Sequence, residues 1–262
     1  MASQYGDFVW YELMTTDVTA AAAFYGAVVG WSNRPFDAAD SSGYQLFSTG
    51  KAEIAGLMTL PEIDGGETGE KPHPGWIGYI GVESVDATAA AILNDGGRQY
   101  VPPTDIPGVG RFAVVADPQG VVFSLISGTT EDESHAFDPQ GVGHGRWNEL
   151  TTTDPEAAFA FYSRHFGWTK GEAMPMGEAG VYQLLDHHGV TFGAVTPLGA
   201  EAQKPAWAFY FGVPDIDAAI AKIGEANGQV LHGPHEVPGG ECIVIGRDPQ
   251  GAYFALVGPR KA

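Results

Sequence analysis

Two glutamates inside apolar segments are the residues of this chain best placed to do chemistry. Glu12 follows Trp10 by two positions, and Glu149 follows Trp147 by the same spacing. In an extended strand, residues two apart share a face, so each pair presents an indole beside a carboxylate. A carboxylate in an apolar strand is costly unless it is hydrogen-bonded or used. Two roles are open: a general base with a pKa raised by desolvation, or a hydrogen-bonded residue that ties strands together.

These two glutamates correspond because the chain is an internal repeat. An offset of 137 residues superposes the segment that starts at Trp10 on the segment that starts at Trp147, and 13 of the 24 positions from Phe8 to Trp31 are identical. Further along, an offset of 131 superposes two Asp-Pro-Gln-Gly turns, which begin at Asp117 and Asp248. A repeat of this kind predicts two copies of one fold and a pair of related sites. Because both copies keep the glutamate and both need the same fold, the structural role is slightly favoured.

Each half is predicted to contain two β-α-β-β-β units. In the first unit, Phe8–Met14 alternates as a strand and Asp17 is placed to cap a helix over Val18–Val29. In the second half, Asp154 and Pro155 mark the same helix start. The remaining predicted strands are Tyr44–Ser48, Glu53–Leu60, Trp76–Val82, Arg111–Ala116, Val121–Ser127, Ala206–Val213, Ile243–Gly246 and Ala252–Val257, and the remaining helices are Asp86–Asn94 and Asp217–Ala226.

The predicted fold class is α+β, with four units that pair into two curled mixed sheets with helices outside. A unit of about 55 residues has too little core to fold alone and must pair with another. The first domain is predicted at 1–128 (units 7–60 and 74–128), the linker at 129–143, and the second domain at 144–262 (units 144–198 and 205–258). The linker is interpreted as a solvated tether.

Composition excludes several classes of function. The chain has 262 residues, 44% of them hydrophobic, and a net charge of −19. This charge repels phosphate backbones, so nucleic-acid binding is not expected. The sequence predicts neither a membrane span nor a signal peptide, and Cys242 as the single cysteine is typical of the reducing cytoplasm. We expect a cytoplasmic monomer in which the halves form an internal pseudo-dimer, although a homodimer is possible.

The motifs identify the chain as a member of the vicinal-oxygen-chelate superfamily of glyoxalases, bleomycin-resistance proteins and extradiol dioxygenases. Each half carries E-L-x-T-x-D-x-x-x-A-x-x-F-Y followed by Gly-Trp, and D-P-Q-G before its last strand. Within the superfamily, the chain most resembles tandem two-domain glyoxalase-like proteins of actinobacteria, a type that includes a secreted mycobacterial antigen. The resemblance covers Asp7–Leu125 and His144–Leu256. It implies the fold, but one fold hosts several reactions.

The resemblance also implies positions for a metal centre. The first ligand of the family is a His or Gln seven residues before the aspartate that caps the helix, and the last is a Glu four residues after the turn glycine. Counting from Asp17, Asp86, Asp154 and Asp217, and from the two turns, these positions hold Trp10, Tyr79, Trp147, Tyr210, Ser124 and Ala255. Catalytic metals need converging His or carboxylate ligands, so no metal and no other cofactor is expected.

The histidines offer no clear substitute. His187 and His188 are adjacent, so on a strand they would point to opposite faces and on a helix they would diverge. His232 and His235 flank a Gly-Pro loop and are candidates to line an entrance. Solvent-facing or loop positions are therefore expected for them rather than ligand positions.

The resemblance places Trp10 and Glu12, and Trp147 and Glu149, toward the curl of each sheet. Contacts to a small molecule are predicted for Trp10, Tyr79, Arg111, Ser124, Trp147 and Tyr210, with Glu12 and Glu149 as candidate acid–base residues. A pocket of this kind suits flat or partly cationic ligands, although the tryptophans could equally fill the core. The predicted function is metal-independent binding of a small molecule. The alternative is a metal-independent lyase, isomerase or hydroxylase-type enzyme that acts on a small carbonyl or aromatic metabolite.

Overall fold

A computed structural model describes residues 4–36, 43–50, 52–61, 72–129, 133–199 and 204–261. Within these ranges the chain forms four α-helices and sixteen strands in two sheets. The order strand, helix, strand, strand, strand occurs four times in succession. The predicted α+β class and the four β-α-β-β-β units are therefore confirmed.

The four units have closely similar lengths. The first contains β1 (Phe8–Thr15), α1 (Val18–Val28), β2 (Ser32–Pro35), β3 (Gln45–Thr49) and β4 (Ala52–Thr59). The second contains β5 (Gly75–Gly81), α2 (Val85–Asn94), β6 (Arg98–Ile106), β7 (Gly110–Ala116) and β8 (Val122–Gly128). The third contains β9 (Gly145–Thr152), α3 (Pro155–Phe166), β10 (Thr169–Pro175), β11 (Val181–His187) and β12 (Val190–Pro197). The fourth contains β13 (Ala206–Gly212), α4 (Ile216–Glu225), β14 (Gln229–Glu236), β15 (Cys242–Arg247) and β16 (Tyr253–Gly258).

Each sheet has eight strands and mixed pairing. The strand orders are β2-β3-β4-β1-β5-β8-β7-β6 and β10-β11-β12-β9-β13-β16-β15-β14. In every unit the first strand pairs in parallel with the last, as in β1 with β4 and β9 with β12, and the other pairs are antiparallel. In each unit the helix lies between the first strand and the antiparallel strands. It forms part of the long crossover that the parallel pairing of the first and last strands requires.

The outermost strand of each unit was not located from the sequence. β2, β6, β10 and β14 directly follow the helices, and most of their residues are exposed. A strand with neither face buried carries no alternation of apolar and polar residues, so its sequence resembles a loop. Two prolines in β6 strengthen that resemblance, although proline is tolerated at the edge of a sheet.

Two of the four helix starts differ from the prediction. Asp17 and Asp154 cap α1 and α3, and each accepts a hydrogen bond from a backbone amide three residues later. The cap of α2 is Ser84 rather than Asp86, and the cap of α4 is Asp215 rather than Asp217. Both predicted aspartates lie in the first helical turn, where a negative charge is also favourable, so composition alone did not separate the two positions.

None of the helices in the described ranges is long and apolar enough to cross a membrane.

The compact units of the chain draw on both halves. Unit one takes in Met1–Val9, Ile77–Ser134 and Trp147–Ala208, and unit two takes in Trp10–Trp76, His135–Arg146 and Phe209–Ala262. Each unit has its own aromatic core. In unit one it contains Phe8, Phe123, Tyr162, Phe166, Trp168 and Trp207, and in unit two it contains Tyr11, Tyr25, Trp31, Phe47, Trp76 and Phe211. The predicted domain boundaries at 128 and 144 follow the sequence repeat and differ from the bounds of these compact units.

The predicted linker 129–143 is not a free tether where the structure describes it; residues 130–132 lie outside the described ranges. Ala136 is fully buried, and Phe137 forms a bridge to Gly145. The backbone carbonyl of Gly143 accepts a hydrogen bond from the indole of Trp31. A Gly-rich and acidic composition suggested solvation, but these backbone groups find partners in the protein.

Candidate functional site

In unit two, Trp10 and Glu12 meet at a tyrosine hydroxyl. Trp10 Nε1 donates to Tyr44 Oη at 3.2 Å, and Tyr44 Oη donates to Glu12 Oε2 at 2.8 Å. Glu12 is only 7% exposed, whereas Trp10 and Tyr44 are half-buried. Burial and the neighbouring Glu12 carboxylate raise the pKa of Tyr44 far above its ordinary value. The tyrosine therefore keeps its proton and acts as a fixed donor to the carboxylate.

Unit one contains the same arrangement. Trp147 Nε1 donates to Tyr182 Oη at 2.8 Å, and Tyr182 Oη donates to Glu149 Oε2 at 2.5 Å. All three side chains are half-buried. We call these two groups the Trp–Tyr–Glu clusters. They show that the predicted pairs of tryptophan and glutamate are held together by a third residue in each unit.

The linking tyrosines were missed in the sequence, although a signal was present. Tyr44 and Tyr182 each begin the tripeptide Tyr-Gln-Leu. They are 138 positions apart, one more than the offset that superposes the first strands, so an ungapped superposition does not align them. A search for repeated tripeptides would have found the pair.

The first cluster lies on the face of its sheet that points away from helix α1. Tyr11 and Phe47 both pair with Ala55, so the three residues share a face, and the Phe47 ring packs against Tyr25 of α1. Glu12 alternates with Tyr11 and therefore lies on the opposite face. This is the face that was predicted for a ligand.

A glycine makes room for the first cluster. Gly56 pairs with Glu12, and a Cβ atom at Gly56 would lie 1.8 Å from Tyr44 Oη and 3.2 Å from Glu12 Oε2. Any larger side chain would displace the tyrosine from the carboxylate. The bond between Tyr44 and Glu12 thus depends on a residue with no side chain at this position.

Each cluster can orient a small molecule. The half-buried indole offers a flat apolar surface, and the carboxylate held beside it by the tyrosine can accept a hydrogen bond or attract a cation. The indole N–H and the phenol O–H are used inside the cluster, so they fix its geometry.

Tyr79 and Ser124 lie on one face in unit one, and Arg111 lies on the other. Tyr79 pairs with Ser124, both are buried, and Ser124 Oγ has no hydrogen-bond partner within the described ranges. Ser124 also pairs with Val114, which alternates with Arg111 along β7. Arg111 Nε donates to Asp86 Oδ2 of α2 at 2.7 Å, so its side chain lies on the helix side of the sheet.

Arg111 is held by ion pairs. Its second partner is Asp105, at 2.7 Å from Nη1, and hydrogen bonds to the two carboxylates raise the pKa of Arg111 further above its usual range. The predicted set of ligand contacts implied that Arg111 lies beside Tyr79 and Ser124. The structure instead places Arg111 on the opposite face of the sheet.

In unit two, Tyr210 occupies the position that corresponds to Tyr79. It pairs with Ala255, and both residues are buried. The hydroxyl that Ser124 supplies in unit one is absent from Ala255, so the two predicted pairs differ in polarity.

The helix caps in the structure change two of the positions that the resemblance assigns to the family's metal ligands. With caps at Ser84 and Asp215, the residues seven positions earlier are Ile77 and Ala208 rather than Tyr79 and Tyr210. The corrected set is therefore Trp10, Ile77, Trp147, Ala208, Ser124 and Ala255. No imidazole or carboxylate stands at any of these six positions.

A second type of cluster lies in each core. In unit two, Trp76 Nε1 donates to Tyr25 Oη at 3.0 Å, and Tyr25 Oη donates to Asp248 Oδ2 at 3.1 Å. In unit one, Trp207 Nε1 donates to Tyr162 Oη at 3.1 Å, which donates to Asp117 Oδ2 at 3.2 Å. We call these the Trp–Tyr–Asp clusters. They explain the repeated Phe-Tyr and Asp-Pro-Gln-Gly motifs, because the helix tyrosine binds the turn aspartate.

The remaining two tryptophans donate hydrogen bonds to backbone carbonyl groups. Trp31 Nε1 donates to Gly143 O at 2.7 Å, and Trp168 Nε1 donates to Gly6 O at 2.6 Å. Both indoles are buried, as expected for packing residues. The indole N–H of every tryptophan in the chain thus has an internal acceptor, in three matched pairs.

The adjacent histidines do not diverge as predicted. His187 ends β11 and His188 has a positive φ of 48°, so the turn brings the two rings to a centroid separation of 3.9 Å. Asp7 lies beside both of them. The prediction assumed a regular strand or helix, and a left-handed residue in the turn invalidates it.

Sequence relatives cover nearly the whole chain. The model of the Glyoxalase/Bleomycin resistance protein/Dioxygenase superfamily matches residues 7–125 and 141–256. The candidate glyoxylase CFP32 of Mycobacterium bovis is 31% identical over 251 residues, which cover 95% of this chain and 94% of that protein. The anthracycline biosynthesis protein DnrV of Streptomyces peucetius is 31% identical over 261 residues, which cover 95% and 91%.

Solved structures agree on the fold. The Mn(II)-bound glyoxalase from Novosphingobium aromaticivorans has a TM-score of 0.63 at 16% identity and covers 99% of this chain and 84% of its own. Homoprotocatechuate 2,3-dioxygenase from Brevibacterium fuscum, with its substrate bound, has a TM-score of 0.66 at 16% identity and covers 97% and 80%. Two matches to the family model, and relatives that align over almost the full length, show that this chain belongs to the glyoxalase/bleomycin resistance protein/dioxygenase superfamily.

Proposed function

We propose that the protein binds a flat aromatic small molecule at its Trp–Tyr–Glu clusters. The observation that carries this proposal is the repetition of one arrangement, with a half-buried indole beside a carboxylate that a tyrosine holds in place. The indole would stack on the ligand, and the carboxylate would accept a hydrogen bond from a ligand hydroxyl or amine. Tyr79, Ser124 and Tyr210 remain proposed ligand contacts, whereas Arg111 is engaged with Asp86 and Asp105.

The names of the relatives support an aromatic ligand. Two of them are named for anthracycline biosynthesis, and anthracyclines are flat molecules with fused aromatic rings. Hydroxyl groups on such rings are donors that match a glutamate carboxylate. A hydroxylated anthraquinone is therefore the probe that fits both the clusters and the relatives.

Binding at these clusters is proposed to be independent of a metal in the family's position. The support is the residue set Trp10, Ile77, Trp147, Ala208, Ser124 and Ala255, which offers no imidazole or carboxylate. Chemistry at the clusters would then rely on hydrogen bonds and stacking.

The alternative function is a metal-independent enzyme that uses Glu12 or Glu149 as acid or base on a small carbonyl or aromatic metabolite. The near-complete burial of Glu12 favours this alternative, since burial can tune a carboxyl group for proton transfer. The bond from Tyr44 works against it, because a hydrogen bond to the charged carboxylate makes that carboxylate a weaker base. Binding is therefore the better-supported function.

Quenching of tryptophan fluorescence by a hydroxylated anthraquinone tests the proposal. We expect Trp10→Phe and Trp147→Phe each to remove part of the quenching. Glu12→Gln and Glu149→Gln should each weaken binding at their own cluster by about tenfold, as for the loss of a hydrogen bond to a charged group. Glu178→Gln, at an exposed position, is the matched control and should bind like the wild type.

Two outcomes separate the functions. Binding that is unchanged in all four cluster variants contradicts the proposed site. Turnover of methylglyoxal, with or without glutathione, that falls by about 10²–10⁴-fold in a Glu→Gln variant while binding persists supports the enzyme.

A further inference from the structure

We propose that Asp7, His187 and His188 form a binding site for a divalent transition-metal ion, with Zn²⁺ as its representative. The site lies in unit one and shares no residue with the Trp–Tyr–Glu clusters or with the positions that the resemblance assigns to the family's metal. It does not depend on the proposed function. It also departs from the expectation that these histidines are not ligands.

The ligand atoms already lie close to the spacing that zinc requires. His188 Nδ1 is 3.2 Å from Asp7 Oδ2, and His187 Nε2 is 3.9 Å from Asp7 Oδ1. One ligand atom from each of the three residues lies within 4.8 Å of the others. Zinc bonds of about 2.0–2.1 Å in tetrahedral geometry place neighbouring ligand atoms about 3.3 Å apart. Small rotations of the side chains would therefore complete the geometry.

The local backbone is shaped to bring these residues together. His188, with φ 48°, and Gly189, with φ 79°, turn the chain so that the two imidazole rings lie on the same side. Gly6 has φ 90°, and a Cβ atom there would lie 2.5 Å from His187 Nε2. Only a glycine lets the segment before β1 approach the histidines this closely.

A hydrogen bond holds the first histidine ligand in position. His187 Nε2 donates to the backbone carbonyl of Tyr5 at 2.9 Å. Coordination through Nε2 moves the ring proton to Nδ1 and replaces this hydrogen bond with a metal bond. The ring is thus pre-oriented, and the exchange is local.

The donor types select the metal. Two imidazoles and one carboxylate favour Zn²⁺, Ni²⁺ or Cu²⁺ over Mg²⁺ or Ca²⁺, which prefer oxygen ligands alone. His188 is exposed, and Asp7 and His187 are half-buried, so an ion can enter from solvent and complete its shell with water. The net charge of −19 attracts cations to the surface. A bound ion would fasten the segment before β1 to the turn between β11 and β12.

Calorimetric titration of untagged protein with ZnCl₂ tests the site, and Co²⁺ absorption reports its geometry. We expect one saturable site per chain. His188→Ala and Asp7→Asn should each weaken Zn²⁺ binding by at least about tenfold, the range seen even for residues that only support ligands. His232→Ala, at an exposed histidine on β14, is the matched control and should bind like the wild type.

Thermal melts make the test independent of folding defects. Saturating Zn²⁺ should raise the Tm of the wild type and of His232→Ala, but not that of His188→Ala or Asp7→Asn. The absence of a saturable site in the wild type overturns the proposal, and so does binding that neither His188→Ala nor Asp7→Asn weakens. Loss of anthraquinone binding has no bearing on this result.

Discussion

The chain uses a tryptophan, a tyrosine and a carboxylate in two settings. In the Trp–Tyr–Asp clusters the tyrosine is fully buried, and the aspartate also accepts backbone amides from its own turn, as Asp117 Oδ1 does from Gln119 and Val121. In the Trp–Tyr–Glu clusters the tryptophan and tyrosine keep part of their surface in solvent. The same series of hydrogen bonds therefore occurs once in a buried setting and once in a setting that is open to solvent in each unit.

Burial also changes the ionisation of the core groups. It raises the pKa of Asp117 and of Asp248, although hydrogen bonds from backbone amides and tyrosine oppose the shift. It likewise raises the pKa of Tyr25 and Tyr162 well above the ordinary value. Because these groups are buried and hydrogen-bonded to one another, they hold the helix and the turn of each unit together.

The largest effect is expected when a core aspartate is removed. Asp248→Ala leaves two backbone amides and the Tyr25 hydroxyl without their acceptor in a buried site, so it should cost about 3 kcal/mol of unfolding free energy. Asp138→Ala is the matched control, since Asp138 begins a third Asp-Pro-Gln-Gly turn and is exposed. Urea denaturation measures both. Equal losses in the two variants would show that the core cluster adds nothing to the turn.

Removing one hydroxyl from each type of cluster compares them directly. Tyr25→Phe and Tyr162→Phe each leave an indole donor and a buried carboxylate without a partner, and should cost about 2 kcal/mol each. Tyr44→Phe and Tyr182→Phe should cost about 1 kcal/mol or less, because water can replace the hydroxyl at a half-exposed site. Chemical denaturation of the four variants measures these losses of unfolding free energy. Larger losses in Tyr44→Phe and Tyr182→Phe than in the other two variants would contradict the assignment of core and surface roles.

Gly56→Ala tests the first Trp–Tyr–Glu cluster without removing any polar group. The added methyl group conflicts with Tyr44 Oη and should separate Tyr44 from Glu12. We expect a stability loss of about 1 kcal/mol, as for mild overpacking, and weaker quenching by the anthraquinone. The cluster around Trp147 should be unaffected. Ligand binding equal to that of the wild type at both clusters would show that the bond between Tyr44 and Glu12 is dispensable.

The smallest effect is expected in the pH dependence of stability. Because the folded-state pKa of Asp117 is raised, the folded protein binds more protons than the unfolded chain above the ordinary range of aspartate. Its contribution to stability is therefore fully present at low pH and is lost as the pH rises through the folded-state pKa. The stability advantage of the wild type over Asp117→Asn should shrink as the pH rises above the ordinary pKa of aspartate. An advantage that grows with pH would show that the carboxylate is favoured in the core.

Sequence reasoning succeeded where periodicity and motifs are local. The alternation of β1 placed Trp10 and Glu12 on one face, and Asp17 and Asp154 marked two helix starts. It failed where a partner is distant or a backbone is irregular. The bond from Tyr25 to Asp248 spans 223 positions, and the approach of His188 to Asp7 depends on a left-handed residue in a turn. Neither a contact between residues so far apart in the sequence nor a left-handed backbone at a non-glycine residue can be predicted from the residue types alone.

The hydrogen bonds from Trp31 and Trp168 to backbone carbonyls bear on the evolutionary origin of the two halves. Gly6 and Gly143 are equivalent positions of the two halves, yet Trp31 of the first half binds Gly143 and Trp168 of the second half binds Gly6. The exchange is reciprocal, and each compact unit is built from parts of both halves. Two identical half-length chains could satisfy the same contacts as separate molecules. Duplication and fusion of a gene for such a chain would make the association of the two halves independent of protein concentration. Each half could then accumulate substitutions that the other half does not share.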